Sequence, residues 1–304
     1  MQCYIDSYTG DGNDDRSISG VGFQPDLVII KGDTAQRAVF RTSAMAGDAT
    51  AVFTSNVALF ADGIQALEVD GFQVGQDAHV NSNGVAYHYA AFRDDGTEDF
   101  EVGSYTGDGN DDRNLDVLDF QPTFLVVKAT FAQYAVWRVD ENAADSTLDF
   151  WASTNSTNQI QAFRAAGFQV GGNSAVNTVD ETYHYFAFKD VSGYFDTGTY
   201  EGDGNDDRSI AVGFAPNMVW VKGDIAENGF LRTDTMDAGE SAAFQNAACV
   251  LDCIQSFPTT NFQVGTDATV NTNEIDYFWA AWKVTGTTVT TTGYMTPMTK
   301  LWGT

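Results

Sequence analysis

Positive charge is scarce in this chain. Its 304 residues hold 15 Lys and Arg against 42 Asp and Glu, for a formal net charge of −27. A surface of that sign repels nucleic acid and anionic membranes, and both are excluded as partners. Cysteine is equally sparse, limited to Cys3, Cys249 and Cys253. Cys249 and Cys253 lie too far apart to pair along one extended strand, although a turn or helix between them would bring them together. No CxxC pair offers a zinc site, and free thiols are the expectation. No run approaches the roughly 18 apolar residues of a membrane span, so membrane insertion is not expected. The opening MQCYIDSYTGDG has neither the basic region nor the apolar stretch of a secretory signal. The expectation is a protein that stays in the cell or leaves by another route. There is no Gly-x-Ser-x-Gly elbow, Walker-type phosphate loop or HExxH. With no catalytic residue to assign, the chain reads as non-enzymatic.

What the sequence does hold is repetition. GDGNDDR occurs at 10–16, 107–113 and 202–208, a spacing of 97 and 95 residues. Each heptad is followed by a Pro-led apolar run: FQPDLVIIKGD (23–33), FQPTFLVVKAT (120–130) and FAPNMVWVKGD (214–224). An apolar residue and an arginine come next, as Phe40-Arg41, Trp137-Arg138 and Leu231-Arg232, and these arginines are expected in buried or interface ion pairs. An Ile-Gln hairpin segment ending in FQVG and a closing aromatic strand, YHYAAF, YHYFAF or YFWAAW, complete each copy.

The fold class follows from these pieces. The runs LVIIK, FLVVK and MVWVK suit strands covered on both faces. Asp70-Gly71 signals a two-residue hairpin. The closing strand alternates Tyr87, Tyr89 and Ala91 with His88, Ala90 and Phe92, which places it inside a sandwich. No segment sustains a helical period, although the long middle SAMAGDATAVFTSNVALFADG has room for a short helix. The chain is therefore all-β: three tandem β-sandwich modules of about 95 residues, of a jelly-roll-like kind, with seven or eight strands each. Module limits are set at 1–102, 103–197 and 198–285. A C-terminal tail, 286–304, resembles the start of a fourth module, and reads either as a docking peptide or as a segment packed on the last domain.

The heptad is the obvious candidate site. Asp11, Asn13 and Asp15 alternate like the first ligands of a calcium loop, as do Asp108, Asn110, Asp112 and Asp203, Asn205, Asp207. An EF-hand needs Gly at loop position six and Glu at twelve. Arg16, Arg113 and Arg208 take the sixth position, and Gly22, Asp119 and Phe214 the twelfth. The loop fails as an EF-hand, which leaves calcium only at a site completed by distant residues. The preferred reading is a turn with no cofactor, since Gly, Asn and Asp tolerate left-handed backbone and the Arg can pair with an Asp of its own loop. His88 and His184 share a position that holds Phe278 in the third copy, so they read as buried, hydrogen-bonded packing residues.

Taken together, SYTGDGNDDR, GVGFQPDLVIIKG, VFRTS, IQALEVDGFQVG and VNSNGVAYHYAAF resemble a repeated β-domain of tailed-virus structural proteins, from phages and haloarchaeal viruses, in the tail, fibre or particle surface. The resemblance spans roughly residues 4–283, and the second module departs most, at Ala129-Thr130 and Ala165-Ala166-Gly167. It implies a virion component: a head decoration, a turret or a tail-associated protein. Its partners would be other virion proteins and a host surface glycan or S-layer, and its assembly a homo-oligomer of three-fold or five-fold order. The Asp-rich, Lys-poor composition is similar to that of proteins from halophilic archaea and their viruses, where molar salt shortens the screening length to about 3 Å; an acidic marine protein is the alternative. The competing function is a cell-surface adhesin or carbohydrate-binding protein, with Tyr4, Tyr8, Tyr105 and Tyr200 stacking on sugars.

Overall fold

A computed structural model describes residues 1–285. The reading of the tail at 286–304 lies outside the described residues. The first module has eight strands: β1 (Gln2–Thr9), β2 (Arg16–Ser19), β3 (Leu27–Gly32), β4 (Val39–Thr42), β5 (Ala51–Val52), β6 (Ile64–Glu68), β7 (Gly71–Val74) and β8 (Ala86–Arg93). They form two antiparallel sheets, β1-β8-β3-β4-β5 and β2-β7-β6. Pairing of strand 1 with 8, 8 with 3 and 2 with 7 is that of a jelly roll; β4 and β5 extend the larger sheet and β6 the smaller one instead. The second module repeats this order strand for strand, and the third adds a short edge strand, Val250–Leu251.

The continuous apolar runs become the middle strands of the larger sheets, buried along their whole length. Alternation then sends each residue to one of two cores. Val28 and Ile30 face the small sheet of their own module, in a core with Phe72, Val74, Tyr87 and Tyr89. Leu27 and Ile29 face the other way, into one core shared by all three modules. Two aromatic triangles mark this shared core. Phe53, Phe150 and Phe244, one from each module, have ring centroids 4.8, 4.6 and 5.1 Å apart. Phe92, Phe188 and Trp282 form the second, at 5.1, 5.6 and 6.2 Å.

The hydrogen bonds between modules run in a closed ring. Ala135 N donates to Phe53 O, Gly229 N to Phe150 O and Ala38 N to Phe244 O. Each module thus meets the next through equivalent atoms, and the three sheets surround a pseudo-three-fold axis within one chain. The joints at the opposite end match as well. Val191 N donates to Phe195 O across the second linker, and Thr285 N donates to Cys3 O, where no peptide joins the third module to the first.

The structure changes several local expectations. The limits at 102 and 197 cut through the strands Phe100–Thr106 and Phe195–Glu201, each of which belongs to the sheet of the module that follows; the breaks lie in the turns at 94–99 and 189–194. The first hairpin turns at Val69-Asp70, one residue early, and Gly71 opens β7 at φ 145°, where a Cβ would lie 2.0 Å from Ile18 O. The middle segment holds no helix. Arg41 draws in the carbonyls of Met45, Gly47 and Ala49, which wraps the chain around its guanidinium. Arg138 and Arg232 do the same to Asn142, Ser146, Asp237 and Glu240, so these arginines hold carbonyls and form no ion pairs among the described residues. The one α-helix among the described residues is a single turn, Ala268–Asn271, capped by the side chain of Asp267. All three cysteines are free thiols, as expected.

Candidate functional site

The strand directions give the ring two unlike ends. β1 and β3 both run antiparallel to β8, so the heptad after β1 and the loop after β3 emerge together, while the linkers and Thr285 lie at the other end. The loop end carries three features.

The first is the heptad itself. Asp11 Oδ1 accepts from Asn13 N at 2.9 Å, and its other oxygen lies 3.4 Å from Arg16 Nε. The amide hydrogen bond draws the Asp11 carboxyl below its usual range, as it does for Asp108 and Asp203. Asp15 sits at φ 54°, Asp112 at 56° and Asp207 at 55°, the left-handed turn position that Asp tolerates. Behind each loop stands a fully buried asparagine, Asn81, Asn177 or Asn271. Asn81 Oδ1 accepts from Asp11 N and Arg16, and its Nδ2 donates to Asn13 O. Bonds of the same kind recur at Asn177 and Asn271. Asp11 is thus engaged by its own loop through the Asn13 amide, while the Asp15 amide donates to Asp14 and the Asp15 carbonyl accepts from Gln73. Among the described residues, no three His, Cys, Asp or Glu side chains gather as a metal site. The asparagines follow the FQVG hairpin by a fixed interval, a repeat signal that sequence reading passed over.

Tyr8, Tyr105 and Tyr200, expected as open sugar platforms, have both faces covered. Each stacks on the first tyrosine of the closing strand, at 5.2–5.3 Å, and carries the heptad arginine on its other face. Their hydroxyls donate to Val80 O, Val176 O and Val270 O, and burial pushes all three phenols well up. Tyr4 leans on Tyr89 and donates to Asp6.

The second feature is a ring of buried lysines that sequence reading also missed. Lys31, Lys128 and Lys222 end the three apolar strands and are almost wholly buried. Each ammonium donates to carbonyls of its own loop and to one carbonyl of the neighbouring module: Lys31 to Ala247 O, Lys128 to Val57 O and Lys222 to Ser153 O. Burial pulls Lys128 down to about 7 and the other two to about 8. The closing-strand histidines lie beside them. His88 bonds Asp33 at 3.0 Å and Thr235 of the third module at 2.7 Å. His184 differs from the hydrogen-bonded packing residue expected. Thr130 stands where the first module has Asp33, the His184 Nδ1 has no hydrogen-bond partner among the described residues, and burial, with Lys128 and Arg41 nearby, lowers the imidazole to about 4.

The third feature is a cavity of about 260 Å³ at the mouth of the axis, lined by Arg37, Ser55, Asn56, Tyr134, Trp151 and Gln245. All three modules contribute to it. It lies just outside the Phe53–Phe150–Phe244 triangle, since Trp151 and Gln245 directly follow two of those phenylalanines.

Residues 4–99 and 190–299 match the family described as Domain of unknown function (DUF7483). The searches of curated proteins and of solved structures gave no match. The first matched segment stops one residue before the strand that opens the second module, and the second runs through the whole third module. With well over half of the chain matched in segments that follow its modules, this chain belongs to the DUF7483 family.

Proposed function

We propose that the chain is a non-enzymatic structural component of a tailed virus particle, either a head decoration or turret or a tail-associated protein, from a halophilic host. The observation that carries the reading is the two-ended ring: one end gathers the linkers and the last described residue, and the other presents three acidic loops around an axial mouth. That polarity suits a part fixed to a particle by one end and facing a host surface glycan or S-layer with the other. A chain with a three-fold relation built in also fits a site of three-fold symmetry without further copies. Homo-oligomers of three-fold or five-fold order belong to the same proposal, and light scattering on the purified protein decides among them. The resemblance of the module to repeated domains of tail, fibre and particle-surface proteins supports the reading, as does the net charge of −27, which suits molar salt.

The test is peptide mass spectrometry on density-gradient fractions of the culture that makes the protein. Stoichiometric recovery in a particle band is the expected result, and its copy number against the major capsid protein separates head from tail. Recovery with cell envelopes and absence from particles overturns the proposal in favour of an adhesin.

A further inference from the structure

Two surface cavities of this protein are acidic, and two more set an aspartate beside an arginine, Asp26 with Arg93 and Asp116 with Arg164. Of the acidic two, one at the second linker is lined by Asp190 and Asp196, and one at the first by Asp94, Glu98, Glu101 and Asp119. The axial cavity holds no carboxylate and does hold an arginine. That arginine differs from most of the others. Arg16, Arg113, Arg164 and Arg208 are paired with aspartates, and Arg41, Arg138 and Arg232 with carbonyls. Arg37 and the exposed Arg93 make no ion pair among the described residues. The Nε of Arg37 is shielded from solvent with no hydrogen-bond partner, as is that of Arg41, Arg138 and Arg232. Those three hold carbonyls through their other nitrogens, and Arg37 holds none among the described residues. A buried guanidinium donor without an acceptor is costly, and a ligand oxygen would relieve it.

The remaining lining completes a recognisable chemistry. Trp151, 41 % exposed, is among the few large apolar side chains open to solvent, and Tyr134 leans against it at 6.0 Å. The Tyr134 hydroxyl is fixed by Gln159 Nε2 at 3.1 Å. Asp149, the nearby acid, is buried, and its Oδ2 is held by Ser153 and Ser156. Ser55 is held at φ 81°, a conformation a serine rarely adopts, on the rim beside Asn56. An indole face binds the C–H face of a sugar ring, a guanidinium forks a carboxylate, and Ser, Asn and Gln side chains exchange hydrogen bonds with hydroxyls. The cavity is smaller than a drug-sized pocket of about 300–1,000 Å³ and suits a single ring.

We propose that the axial cavity formed by Arg37, Tyr134, Trp151, Ser55, Asn56 and Gln245 binds a carboxylate-bearing monosaccharide unit, a uronic acid or a sugar of like chemistry. The carboxylate meets Arg37 and the ring lies on Trp151. The site deepens the host-facing part of the reading above but rests on the cavity alone, so particle recovery and sugar binding succeed or fail separately.

The sister modules supply test variants that the fold already accepts. Asn228 takes the place of Arg37 in the third module, and Gln245 the place of Trp151. The full chain and its Arg37→Asn and Trp151→Gln variants are titrated with sodium glucuronate, glucose and acetate, read by ligand-observed NMR in low and molar salt. Glucuronate should bind the parent at millimolar concentration, and each variant should weaken it at least about tenfold, the worth of one charge-assisted hydrogen bond or one stacked ring. Glucose and acetate should bind at least tenfold more weakly than glucuronate. Unchanged thermal midpoints for both variants confirm that the fold is intact. Absence of glucuronate binding at both salt concentrations, binding that ignores both substitutions, or equal binding of glucose would each overturn the proposal.

Discussion

His184 and Lys128 are neighbours on paired strands, and each is charged at a cost. A group that titrates lower in the folded chain leaves the unfolded chain the tighter proton binder between the two values, so stability rises with pH across that interval. For His184 the interval runs from about 4 to the ordinary 6.5. His184→Phe, which copies Phe278 of the third module, should therefore gain about 2 kcal/mol over the parent at pH 5, with the advantage shrinking toward pH 7. Paired denaturant titrations at the two pH values measure it, and a pH-independent difference would sink the account. For Lys128 the interval opens at about 7, so the parent should gain stability from pH 7 to 9. Above that range buried Cys253, pushed up to about 12, acts with the opposite sign. Lys128→Met should abolish its share of that rise. It should also destabilise the protein by about 3 kcal/mol, because the carbonyls of Val57, Ala129 and Phe131 lose their donor.

The next scale is the loop and the strand it serves. The heptad is held less by its own acids than by the asparagine behind it. Asn177→Ala removes bonds to the Asp108 amide, Arg113 and Asn110 O together, and should cost about 2 kcal/mol and speed amide exchange in 107–113. Exchange that stays slow would mean that Asp108 and Arg113 suffice. Elements were the part of the molecule most legible in the sequence. Apolar runs of strand length, the FQVG hairpin and the alternating closing strand each carry a local period, and all are strands, with the first hairpin turning one residue early. Module limits are less legible: the heptad marks the repeat, whereas the strand that leads into it starts several residues earlier, at Phe100 and Phe195. The middle segment was harder still, since its path is set by an arginine reaching from another strand.

At the scale of the whole molecule, the sequence showed three modules but not that they share a core. Periodicity reports that Leu27 and Ile29 are buried, not what covers them. The axial cavity was hidden for a related reason: Arg37, Tyr134 and Asn228 stand at one repeat position, and a repeat alignment treats their differences as noise. The shared core yields a prediction. Residues 1–99 alone would expose Ile29, Phe40, Phe53 and Phe92, so this fragment should not persist as a monomer. Light scattering should find trimers or aggregates, and a stable folded monomer would show that the module stands by itself. The joint between Thr285 and Cys3 yields another. A permutant with those ends linked by a short Gly-Ser segment and new ends in the turn at 94–99 should fold to the same far-ultraviolet spectrum, with its melting point within a few degrees of the parent.

In a trimer of identical chains, any side chain on the axis appears three times, and an asymmetric guest meets three equal orientations. Here the three copies are joined by peptide bonds and mutate separately, so the mouth holds one arginine, one tryptophan and one glutamine. With the three copies on one chain the opening is directional, where that of an identical trimer would be symmetric.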